Sequence, residues 1–71
     1  MNKSLLSLLK EEDDLVKDTM FNQETYEMLK DKNKHLAADY LEKTKNSKEK
    51  LLECRKEISR YIDFLEFLRE E

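Results

Sequence analysis

Leu51-Leu52-Glu53-Cys54-Arg55-Lys56-Glu57-Ile58-Ser59-Arg60-Tyr61-Ile62-Asp63-Phe64-Leu65-Glu66-Phe67-Leu68 is the stretch that decides the fold. Within it, Leu51, Cys54, Ile58, Tyr61, Leu65 and Leu68 recur at alternating spacings of three and four. That spacing puts them in one stripe along a helix, the seam by which one helix packs on another. It predicts a helix over about 47–70. Leu52, Ile62, Phe64 and Phe67 lie off the seam and widen the apolar face, so the end of this helix is expected to meet more than one neighbour.

Upstream, Tyr26, Leu29, Asn33, Leu36 and Tyr40 repeat the same spacing and predict a second helix over about 22–45. Its seam does not run into the first, because Tyr40 and Leu51 stand eleven residues apart, neither seven nor fourteen. Two architectures accommodate that offset. In one, four extra residues form a stutter inside a single long helix. In the other, residues 42–50 contain a turn and the helices fold back on each other; Asn46 favours it, being tolerant of the left-handed conformation and able to cap a helix with Glu49 three residues on. A third, shorter helix is expected over about 4–19, with Ser4 as its cap and Leu5, Leu8, Leu9, Leu15, Val16 and Met20 on one face. Asp18 to Gln23 either interrupts it or carries it into the next.

Composition excludes several classes of function. The 71 residues make one small module, 1–71, with no glycine and no proline, and 44% of its side chains are charged. Such a chain reads as all-α, and a glycine loop for cradling phosphate is ruled out. A monomer this short buries a modest share of its surface. Disulfide stapling is closed to it, since Cys54 is the only cysteine, and one thiol with one imidazole, His35, does not make a structural metal site. Self-association or a partner chain is the expected source of stability. Met1 to Leu9 faintly resembles an export signal, but Ser7 breaks its short apolar run and four acids follow, Glu11 to Asp14. No run reaches the roughly 20 apolar residues of a membrane span. The expectation is a soluble, cytoplasmic chain.

Charge falls into blocks: residues 1–29 carry a net −4, 30–56 a net +4 and 57–71 a net −3. A hairpin turning near Asn46 would set the basic block at its tip and the acids at its open end.

Individual residues offer little chemistry. Asn33, on a seam, can fix register by pairing with its counterpart in a parallel dimer, or sit half-exposed where the seam frays. Cys54 reads as a small buried hydrophobe, with an interchain disulfide as the sharper alternative. His35 reads as a surface residue, since no spacing of zinc ligands surrounds it. Glu11 to Asp14 point in different directions from a helix and lack the pattern of a calcium loop; Asp13 and Lys17 can pair at four-residue spacing. The stretch Lys43 to Lys50 is broken by Glu49 and has neither arginine nor aromatic residues, so it does not point to nucleic acid. Arg69-Glu70-Glu71 opposes the helix dipole without a cap, as in a helix cut from a longer coiled-coil protein.

The reading is a non-enzymatic, all-α interaction module without cofactor or metal: a helical hairpin or elongated coiled coil of two to three helices. It associates with itself, most simply as a homodimer, or with another helical protein, and scaffolds a larger assembly. The expected interaction residues are Tyr26, Leu29, Asn33, Leu36, Tyr40, Leu51, Cys54, Ile58, Tyr61, Ile62, Phe64, Leu65, Phe67 and Leu68. The alternative is a small helical co-chaperone or adaptor, of the kind that serves secretion systems, shielding an amphipathic helix of its partner.

Overall fold

The computed structural model describes residues 3–70; Met1, Asn2 and Glu71, with the expectations attached to them, lie outside. The described residues form two helices, α1 (Leu5–Leu29) and α2 (Lys34–Glu70), folded back on each other as a helical hairpin. Its principal extents are 58 × 19 × 14 Å.

α1 starts where Ser4, in an extended conformation, accepts the Ser7 amide on its hydroxyl at 3.1 Å. This satisfies one of the amides that a first helical turn leaves without a partner. The helix then runs through Thr19 and Asn22 without interruption. Thr19 and Thr25 turn their hydroxyls onto the carbonyls of Leu15 and Phe21, at 2.7 and 2.8 Å, so neither competes with the helix for its amides.

The chain reverses at residues 30–33 rather than at 42–50, where α2 is continuous helix. The amides of Lys30, Lys32 and Asn33 fall back on the carbonyls of Tyr26 and Leu29 at 2.8–2.9 Å and close α1. Asn33 then opens α2: its Oδ1 accepts the Leu36 amide at 3.1 Å and its carbonyl accepts the Ala37 amide at 2.9 Å. Among the described residues none has a positive φ. The reversal therefore needs no left-handed residue, and a chain without glycine makes it freely.

This placement corrects the expected seams. The expected 22–45 helix is split by the turn, and Asn33 caps α2 instead of lying in a seam. Along α2 the packed stripe is Ala37, Tyr40, Thr44, Ser47, Leu51, Cys54, Ile58 and Tyr61, all buried or half-buried, at unbroken three and four spacing. Once the stripe passes through Ala37 instead of Leu36, the eleven residues from Tyr40 to Leu51 become steps of four, three and four, and no stutter remains. The facing stripe of α1 is Leu5, Leu8, Glu12, Leu15, Thr19, Asn22, Tyr26 and Leu29.

The core is thin and lies toward the open end. Leu8 is completely buried with Cys54 and Ile58 around it, and Leu5, Leu15 and Tyr61 pack against them. Midway the stripes turn polar: Asn22 donates to the Ser47 hydroxyl at 3.3 Å, and the buried Thr44 donates to the Tyr40 carbonyl at 2.8 Å. Nearer the turn, Phe21 meets Tyr40 edge to face at 6.5 Å, and the Lys43 ammonium sits 4.5 Å from the centre of the Tyr40 ring. The charge blocks do not separate into tip and open end but run side by side, because the acidic α1 lies along the basic first part of α2. Glu12 and Arg55 make the contact explicit across the hairpin at 2.8 Å.

Candidate interaction surface

The residues expected to carry interaction meet three fates. Tyr26, Leu29, Tyr40, Leu51, Cys54, Ile58 and Tyr61 turn inward and hold the hairpin together. Asn33 and Leu36 belong to the start of α2; Leu36 is 41% exposed, on the flank of the packed stripe. Ile62, Phe64, Leu65, Phe67 and Leu68 turn out to solvent, between 45% and 58% exposed.

Unequal helix length produces that last group. α1 has 25 residues and α2 has 37, so at about 1.5 Å per residue they run about 37 and 55 Å. The Tyr61 hydroxyl donates to the Lys3 carbonyl, which sets Tyr61 level with the residue before the Ser4 cap. Residues 62–70 therefore project about 13 Å beyond α1. Leu65 and Leu68 extend the stripe of Leu51 to Tyr61 in phase, yet no described residue of α1 stands opposite them. Phe64, Ile62 and Phe67 flank that open stripe. Among the described residues, the projecting end thus has the side-chain pattern of a packed helix with no residue of α1 opposite it.

A second group of exposed apolar side chains lies along the body of the hairpin. Leu9, Met20, Leu41 and Leu52 are each more than two-fifths exposed. Met20, with Thr19, Gln23, Glu24 and the stem of Lys48, lines a shallow depression between the helices. These side chains are scattered, whereas five of the seven residues from Ile62 to Leu68 are large and apolar.

Reactive groups are few. Cys54 is buried, its thiol directed at the Leu8 carbonyl at 3.3 Å. Burial pushes this thiol above its ordinary range, and the carboxylates of Glu11, Glu12 and Glu57 push it the same way, so the neutral form is favoured. His35 is exposed in the first turn of α2. Asp13 and Lys17 pair at 3.0 Å, and that hydrogen bond holds the lysine above its usual range. Glu27 and Lys30 pair at 2.8 Å beside the turn, lowering the carboxylate and raising the ammonium. Among the described residues, no three or more His, Cys, Asp or Glu side chains gather as a metal site would require. No described helix is long and apolar enough to cross a membrane.

The amino-acid pattern singles out the apolar end but not Leu8, the deepest residue of the core. A signal exists in Leu5, Leu8 and Leu15, which keep the three and seven spacing of a seam, but Glu12 between them obscures it. Comparison with protein-family models, with curated proteins and with solved structures finds no match to this chain.

Proposed function

We propose that this chain is a protein–protein interaction module that associates with itself through its exposed helix faces, in coiled-coil fashion, and so holds a larger assembly together. The observation that carries the reading is the projecting end of α2, where Ile62, Phe64, Leu65, Phe67 and Leu68 are apolar, aromatic-rich and half-exposed beyond the reach of α1. Aromatic anchors contribute heavily to interface energy, and contiguous apolar patches on small proteins mark contact sites. A thin core supports the same reading, since few residues are buried and a two-helix chain of this size gains stability when its open stripe is covered.

Sedimentation equilibrium from about 10 μM to about 1 mM tests it, a range suited to a small interface. The mass is expected to rise toward twice that of the 8.6 kDa chain. A folded chain that stays monomeric throughout overturns the proposal.

A second reading is an adaptor or co-chaperone that shields an amphipathic helix of another protein. Leu9, Met20, Leu41 and Leu52 along the hairpin body favour it, because a third helix laid over the shallow depression at Met20 would cover part of them. A chain that remains monomeric but gains helicity and thermal stability on adding an amphipathic helical peptide would favour this reading over self-association.

A further inference from the structure

We propose that the self-association is end to end: the projecting 62–70 segments of two copies pack antiparallel about a two-fold axis, each taking the place that α1 leaves vacant on the other. This rests on the reading of the chain as self-associating and adds the occupant, the surface and the orientation.

The register follows from the seam. Leu65 and Leu68 are three residues apart and in phase with the packed stripe, so in an antiparallel pair Leu65 of each copy faces Leu68 of the other. That register sets residue 70 of one copy opposite residue 63 of its mate, just beyond Tyr61 and the Lys3 carbonyl that marks the end of α1. The two described overhangs therefore overlap without either running into the other copy's α1. The partner's helix continues the line of α1, and the three and four stripe runs unbroken from one hairpin into the next.

Charge permits a second copy in this arrangement without favouring it: the 62–70 segment carries Asp63, Glu66 and Glu70 against Arg69, but these three acids lie off the seam. The chain is acidic overall, with a net charge of −3, which opposes indiscriminate self-association. Yet the positions flanking Leu65 and Leu68 across the pair are Ile62, Phe64 and Arg69, so no two acids are pressed together at the seam. The aliphatic stem of Arg69 lies where it can cover Ile62 of the other copy.

The area fits a reversible contact. Five large side chains about half exposed on each copy supply at most roughly 1,000 Å² over the pair, at the low end for specific interfaces. The dimer is accordingly one that separates on dilution.

Small-angle scattering beside sedimentation equilibrium tests the arrangement. Two 58 Å hairpins overlapping by the overhang give a particle about 100 Å long, whereas a side-by-side dimer stays near the length of one hairpin. The expected result is a doubled mass, a length near 100 Å, and loss of both in Leu65→Glu at every concentration tested, with helicity unchanged because Leu65 lies outside the hairpin core. If Leu65→Glu loses helicity, Leu68→Glu, further from the core, is read in its place with the same expectation. Leu52→Glu, on the hairpin body, is expected to remain dimeric. A doubled mass at the length of one hairpin, or a dimer that survives Leu65→Glu, overturns the end-to-end arrangement and leaves self-association standing. A monomer throughout overturns both.

Discussion

Replacing Asn33 by alanine tests where the chain turns, because Asn33 and Asn46 exchange roles between the observed hairpin and one that reverses in residues 42–50. In the structure Asn33 Oδ1 accepts the Leu36 amide at 3.1 Å, and alanine removes that acceptor. Loss of a side-chain cap of this kind costs about 1 kcal/mol, within a range of about 0.5–2. For a domain of this size that lowers Tm by about 4–8 °C. Asn46 is exposed in mid-helix, twelve residues beyond the start of α2. There asparagine is a weaker helix former than alanine, so Asn46→Ala is expected to stabilise by about 0.5 kcal/mol. The two substitutions therefore differ in sign. Asn33→Gly, which leaves the amide open to water, is expected to cost only a few tenths of a kcal/mol. Circular dichroism during thermal and urea unfolding, at one fixed concentration so that association does not contribute, measures all three. If Asn46→Ala destabilised as much as Asn33→Ala, or Asn33→Ala were neutral, the turn would not lie at 30–33 and Asn33 would not be the cap of α2.

Leu8→Ala is expected to cost about 2–5 kcal/mol, a large share of the stability of so small a chain, and to leave it mostly unfolded in urea titrations; Leu6→Ala, at a side chain 79% exposed, should unfold like the parent. Equal curves for the two would displace the core. Cys54 should react with a thiol reagent only at the rate the hairpin opens, and a reaction as fast as that of a free thiol would show it exposed. Because its folded pKa lies above its unfolded value, its contribution to stability is whole at neutral pH and is lost as pH rises through the folded pKa. Unfolding midpoints should therefore fall on the alkaline side of the ordinary thiol range, and less so in Cys54→Ala; the raised lysines Lys3, Lys17 and Lys30 lose their acidic partners' support only at higher pH still. A double-mutant cycle on Glu12 and Arg55 should give at most about 1 kcal/mol of favourable coupling at low salt, shrinking as salt is added, and an unfavourable coupling at low salt would deny the contact across the hairpin.

Much of the chain's helicity is legible in the order of its amino acids, and so is the packed face at Leu51, Cys54, Ile58 and Tyr61, because apolar side chains at helical spacing report directly on burial. The middle is harder to read. Thr44 and Ser47 sit in the packed stripe, but polar residues leave no trace in an apolar pattern, so by pattern alone the stripe breaks between Tyr40 and Leu51. The place of Ser47 depends on a partner that spacing does not reveal, the Asn22 amide across the hairpin, while Thr44 satisfies its hydroxyl within α2 at the Tyr40 carbonyl. Asn33 misleads in the opposite way, falling by coincidence on an apparent seam while acting as a cap.

By itself the sequence determined that this protein is helical, that it has no glycine loop, and that its last turns are apolar on several sides. These are properties of side-chain order along one helix, fixed by a period of about 3.6 residues. Only the tertiary structure decided that the chain reverses at 30–33, and hence that a 25-residue α1 packs on a 37-residue α2 and leaves its far end uncovered by α1. Which part of a long stripe is covered depends on where its partner helix begins, a difference of lengths that no local pattern contains. That difference leaves Leu65 and Leu68 beyond the reach of α1 and turns the end of an ordinary seam into an open surface.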